Sequence, residues 1–242
     1  GWIIAGAAAA AALIVTVGGI FWFLSGDAPD EVSLEDAVED VQSDGTDTSD
    51  TGDTGTTDGI EGSWVVDTTI GEFSYEDATS SFVGFRIAEE LSSIGTTEAV
   101  GRTPTIDGTP IIEGTTLTAA EVVADMTDIT TETPRRDDRV QGALSTSEFP
   151  TATFTLTDPI EIGDIQDGDQ FSATAVGDLT IAGVTNQIEM PLEGEVVGDI
   201  VVVVGSVDIE FADWNIEVPT APVVLSVDDH GPLELQLFFV RS

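Results

Sequence analysis

The sequence contains no cysteine and no lysine. Without thiols it can form neither a disulfide nor a thiolate metal site, whatever the compartment. Positive charge is scarce. Six arginines (Arg86, Arg102, Arg135, Arg136, Arg139 and Arg241) stand against 46 acids, for a formal charge of −40. Nucleic acid is excluded as a partner, because phosphate binding needs cations, and anionic lipid head groups would repel the chain. The charge favours solubility and fits a saline surrounding, where ions screen self-repulsion. The single histidine, His230, lies in the turn-like stretch Asp228-Asp229-His230-Gly231-Pro232, and no G-x-S-x-G elbow accompanies it. Phosphate loops of the G-x-x-x-x-G-K or G-x-G-x-x-G kind are missing too. One imidazole and scattered carboxylates offer at most unspecific binding of hard cations at the surface. The expectation is therefore a protein that is not an enzyme and has no metal or cofactor.

What the chain does have begins with an apolar run, residues 2–24 (WIIAGAAAAAALIVTVGGIFWFL). As a helix rising ~1.5 Å per residue it would extend about 34 Å, enough for a hydrocarbon core of ~30 Å. Trp22 suits an interfacial anchor. A signal peptide would have an apolar core of only ~7–15 residues, and Gly26-Asp27-Ala28 makes a poor cleavage site. Residues 1–26 are thus expected to be an uncleaved transmembrane anchor. The chain opens on Gly1 without an initiator methionine or basic flank, so a natural start upstream is expected. No lysine or arginine follows the run before Arg86, which points the downstream part out of the cytoplasm.

Residues 27–62 carry 13 acids and no base. Such a segment buries too little apolar surface to offset its ordering entropy, so a disordered acidic linker is expected. Val32, Leu34, Ala37, Val38 and Val41 give a faint helical pattern, read as a transient helix. Asp44, Asp47, Asp50 and Asp53 recur every three residues, unlike the D-x-D-x-D-G loop that binds calcium. Removing these 13 acids leaves 46 − 13 = 33 against 6 arginines, so residues 63–242 remain near −27.

From Ser63 onward the pattern is β. Ala173 to Leu192 reads as one hairpin: Ala173, Ala175, Gly177, Leu179 and Ile181 share a face, Ala182-Gly183 turns, and Val184, Ile188, Met190 and Leu192 return. Pro191 argues that this strand ends at an edge or leaves the ladder. Thr97–Ile106 and Pro110–Thr118 read as two strands joined at Asp107-Gly108, Arg135–Leu144 as a short helix with Val140 and Leu144 on one face, and 199–211 and 233–240 as long apolar strands. About eight strands and one short helix fit a closed antiparallel β-barrel; from pattern alone a β-sandwich fits as well.

Gly177 to Thr185 (GDLTIAGVT) closely resembles the G-D-L-T-I-x-G-V-T signature of the YceI family, extended lipocalin-like β-barrels that carry polyisoprenoid chains. Trp64-Val65-Val66-Asp67 resembles the opening W-x-x-D, and residues 81–87 (SFVGFRI) resemble the strand S-x-V-x-F-x-V. Arg136-Asp137 with Phe149-Pro150-Thr151-Ala152-Thr153-Phe154 resembles the R-D block and the strand after it. The likeness covers about residues 62–241. Two positions depart: Arg139 stands about where many members have histidine or lysine, and Glu89-Glu90 near a position often histidine. The resemblance favours the barrel, with Val83, Phe85, Ile87, Phe154, Leu156, Ala175, Leu179, Ile181, Ile209 and Phe211 lining a ligand-binding lumen. It implies a bacterial, non-catalytic protein that binds, stores or carries an isoprenoid lipid (a quinone or polyprenyl chain) at the outer face of the cytoplasmic membrane. An extracytoplasmic interaction or stress-response module with a solid core and no ligand is the alternative. The implied partners are that lipid and, through the N-terminal helix, the membrane; a homodimer is compatible with both readings. Arg135 to Arg139 holds half of the cations and is either a salt-bridged helix start or a mouth that orients a lipid head.

Overall fold

Alternating apolar and polar residues become strands nearly wherever they occur. The structure is a computed structural model, and it describes residues 28–44, 59–92, 95–219 and 224–242. Among these are fourteen strands in one curled, antiparallel sheet. They are β1 (Gly62–Val66), β2 (Phe82–Leu91), β3 (Gly95–Thr103), β4 (Ile106–Gly108), β5 (Ile111–Glu113), β6 (Thr116–Ala119) and β7 (Glu121–Asp125). After helix α2 (Pro134–Ala143) come β8 (Thr151–Leu156), β9 (Ile160–Glu161), β10 (Gln170–Ile181), β11 (Val184–Val197), β12 (Ile200–Glu210), β13 (Val224–Val227) and β14 (His230–Arg241). Helix α1 (Leu34–Asp44) precedes them all.

The long central order is β7-β8-β10-β11-β12-β14, and β14 then pairs with β2 along Leu233–Gln236 and with β1 along 239–241. On its other side β2 pairs with β3. Only Pro104 and Thr105 separate β3 from β4, and β4 pairs with β7 at the far margin of the sheet. The curl therefore brings the two margins together through one short piece of chain.

The count of eight strands is corrected to fourteen, for local reasons. Proline cannot donate to a ladder, and Pro104 splits the expected strand Thr97–Ile106 into β3 and β4. Asp107-Gly108 is not a turn but lies within β4, opposite Val123 and Val122. The turn falls instead at Gly114, whose φ of +62° suits glycine, and it divides Pro110–Thr118 into β5 and β6. The expected hairpin is present: Ala173 pairs with Leu192 and Ile181 with Val184, and Ala182 and Gly183 both have positive φ, as a tight two-residue hairpin turn requires. Pro191 stays within the β10–β11 ladder, opposite Thr174, while β12 pairs only from Leu192 onward.

The disordered linker is the second correction. Within 27–62, the residues Leu34–Asp44 are helical. Ser33 accepts the Asp36 amide at 3.3 Å as a cap, and Glu35 and Asp36 sit where the helix dipole favours negative charge. Ala37, Val38 and Val41 are buried against Val202, Val204 and Phe238 on the outer face of the sheet. The apolar stripe is narrow, but it has a partner, because Ile200 to Val204 is apolar on both faces of its strand. Residues 45–58 of that linker, and the apolar run 2–24, lie outside the described residues. Among the described residues no helix is long and apolar enough to cross a membrane.

Docking of α1 is expected to depend on pH. Burial, and then the charges of Asp77, Asp36 and Glu39, push Asp40 from 3.8 up to about 6, against a hydrogen bond from Gln236 that lowers it. The docked state therefore holds this proton more tightly than the undocked one. The penalty is absent below the undocked value, grows as pH rises between the two values, and is complete above about 6. Hydrogen exchange of the α1 amides is expected to be slower at pH 5 than at pH 8 after correction for intrinsic rates, and Asp40→Asn is expected to flatten the difference.

Candidate functional site

The curl encloses an apolar cavity of about 270 Å³. Alternation along each strand decides what reaches it. On β14, Leu233, Leu235, Leu237 and Phe239 face inward; on β12, Val201, Val203 and Ile209 do. Two buried clusters meet along the lumen. One contains Trp64, Ile112 and Phe239, and the other Leu179, Ile181, Ile209, Phe211 and Trp214. Val140 and Ala143 of α2, Leu144 just after it, and Ile216, Val218 and Pro219 of the loop after β12 also line the cavity.

All ten residues expected on the lumen from the sequence, Val83, Phe85, Ile87, Phe154, Leu156, Ala175, Leu179, Ile181, Ile209 and Phe211, lie on this wall. The interior is hollow, unlike the solid core of the alternative reading. The sequence reading missed the contributions of Trp64, Phe171 and Ile216. Val140 and Leu144 were visible as a pair at i, i+4 spacing, but nothing in their spacing says what they face.

Small residues on the inward face of β10 leave room only in part. Ala173 and Ala175 line the cavity, whereas the ring of Phe154 occupies the space beside Gly177. The same arrangement recurs with Phe85 against Gly101 and Phe171 against Gly194. At each of these positions a Cβ would collide with the ring, so glycine is what leaves the phenyl group its place against the wall. Gly101→Ala is expected to push Phe85 inward and cost ~1–3 kcal/mol, as overpacking does; urea unfolding measures the loss.

Neither buried tryptophan leaves its indole N–H unpaired. Trp64 Nε1 donates to the Ile60 carbonyl at 2.9 Å and Trp214 Nε1 to the Leu179 carbonyl at 3.2 Å. Glu234 adjoins the cavity, but it alternates with Leu233 and Leu235, so its carboxylate lies on the outer face of the sheet. There Arg86 Nε donates to Glu234 at 2.6 Å, and Arg102 Nη2 lies 3.8 Å from the other carboxylate oxygen. All three side chains are buried. Arg86 also pairs with Glu98 at 3.3 Å, and both arginines donate to the Asp30 carbonyl. Arg102 stacks over Phe82 at 4.3 Å. Burial lowers the pKa of Arg102, with Glu234 opposing that shift.

The arginine-rich stretch before β8 ties α2 to the wall. Arg136 Nη2 donates to the buried carboxylate of Glu89 at 2.8 Å, and Asp137 accepts both the backbone amide and the hydroxyl of Thr131 at 2.7 Å. Glu89, one of the two departures from the family pattern, thus has an ion-pair partner in the helix that covers the lumen. Among the described residues one group could supply three metal ligands: Glu210, Asp229 and His230, all exposed. The Asp229 hydrogen bond raises the pKa of His230, which favours the imidazolium form over the neutral ring that binds metal.

An all-β curled sheet around a hollow apolar interior defines a lipocalin-like class of protein. A YceI-like domain matches residues 75–239, more than half of the chain. The chain belongs to the YceI-like family. It is similar to the structure of a polyisoprenoid-binding domain from Saccharophagus degradans implicated in plant cell wall breakdown, with a TM-score of 0.57 and 16% identity over 74% of this chain and 98% of that one. It is also similar to BcnA from Burkholderia cenocepacia, with a TM-score of 0.50 and 15% identity over 64% of this chain and 95% of that one. No curated protein matches.

Proposed function

We propose that this protein is a non-catalytic carrier that binds, stores or transports an isoprenoid lipid, a quinone or a polyprenyl chain, in its lumen. The observation that carries the reading is the cavity of about 270 Å³ with its apolar lining. A YceI-like fold and a structural neighbour described as polyisoprenoid-binding support it. Each buried CH₂ is worth ~0.8 kcal/mol, so a five-carbon isoprene repeat contributes about 4 kcal/mol before ordering costs. A branched hydrocarbon can therefore be held without polar contacts, and its polar head stays outside. Residues 2–24 serve as a membrane anchor in this reading, with the curled sheet at the outer face of the cytoplasmic membrane.

Trp64 offers a direct test, because it lines the cavity and quinones quench indole fluorescence. Titration with a short-chain quinone is expected to quench the full chain saturably. Trp64→Phe should remove part of the quenched emission, and an excess of polyprenol should restore the rest. Linear, unsaturable quenching that polyprenol does not reverse would count against the carrier.

A further inference from the structure

Residues 28–44 fold onto the outer wall at two points. The Asp30 carbonyl receives hydrogen bonds from the buried guanidinium groups of Arg86 and Arg102, and α1 buries Ala37, Val38 and Val41 on Val202, Val204 and Phe238. We infer that this segment is a mount that holds one end of the curled sheet, the end carrying Leu225 and Phe149, against a lipid bilayer. The inference rests on the reading of residues 2–24 as the anchor.

The length of the leash is the first observation. If all of 27–62 were a free coil, about 36 residues would give an end-to-end distance of roughly 33 Å and a far longer maximum reach. With Asp30 held, only five residues, 25–29, separate the apolar run from the wall. Six steps of chain reach about 20 Å at full extension, so the sheet sits beside the membrane.

The choice of end is the second. Asp30 is held level with Glu234, whereas α1 packs level with Val202 and Phe238, further along the same strands. The mount therefore enters from the His230 side of β14. At that end β13 runs beside Leu91, and its Leu225 is 63% exposed. Phe149, 36% exposed, lies there too, with its ring against Gly183 at the tip of the β10–β11 hairpin. The loop that lines the lumen with Ile216 and Val218 is at this same end. Ile111 is exposed at the opposite end as well, so the end is chosen by where the mount enters, and Leu225 and Phe149 suit the bilayer surface placed there. The protein is strongly acidic, so this contact depends on the mount and not on charge.

The absence of cysteine permits single labelling sites. The full chain is reconstituted in phosphatidylcholine vesicles containing spin-labelled lipid. A fluorophore is attached after Leu225→Cys or, at the opposite end, after Ile111→Cys. The expected result is loss of fluorescence at 225 and none at 111, with the difference abolished when a long Gly/Ser insert between Gly26 and Asp27 slackens the leash. Equal quenching at both sites in protein that floats with the vesicles overturns the inference and leaves the anchor reading standing; so does a difference that survives the insert. Protein that does not float overturns the anchor reading, and the inference with it.

Discussion

Glu234→Ala is expected to destabilise the protein by ~3–5 kcal/mol, the cost of leaving buried charge without its partner. Glu234 stands between Arg86 at 2.6 Å and Arg102 at 3.8 Å. Removing it leaves two buried guanidinium groups that repel each other. Glu98 compensates poorly, because it is 43% exposed and 3.3 Å from Arg86 alone. The network is already incompletely satisfied, since Arg102 Nε and one Glu234 oxygen have no hydrogen-bond partner among the described residues. A typical domain is stable by only 5–15 kcal/mol, so the variant should unfold at far lower urea. Glu98→Ala is the control and should cost less than ~1 kcal/mol, as solvent-screened pairs do. Equal, small losses for both variants would show that the network contributes little.

The second large effect concerns the lumen. Ala175→Phe is expected to weaken quinone or polyprenol binding by at least about tenfold, or ~1.4 kcal/mol, while leaving unfolding midpoints nearly unchanged. Ala175 is 3% exposed, lines the cavity and pairs with Met190 across the hairpin. A ring added there enters existing space, so the usual overpacking cost is reduced. Paired binding and urea measurements separate the two outcomes. Unchanged affinity with intact folding would mean that the ligand lies elsewhere.

The lumen was legible because it depends on parity. A strand with one buried face repeats every two residues, so Val83, Phe85 and Ile87, or Leu179 and Ile181, announce their shared side. The break at Pro104 and the turn at Gly114 were not placed, because short strands give too few repeats to fix their ends. Helix α1 was misread for a different reason. Its acids describe only its solvent face, and its apolar stripe becomes stable only against Val202, Val204 and Phe238, some 160 residues or more later in the chain. The outward valines of β12 carried the missing signal, since a strand apolar on both faces needs a cover on each. The buried Arg86–Glu234–Arg102 group was invisible for a similar reason: three charges far apart in sequence meet only through the β14–β2–β3 ladder.

Native mass spectrometry of the full chain, released from detergent and followed by solvent extraction, tests the carrier most directly. The expected result is a discrete adduct of several hundred daltons that extracts as an isoprenoid and is absent from Ala175→Phe. A bare mass that persists after incubation with quinones and polyprenols would contradict the proposal.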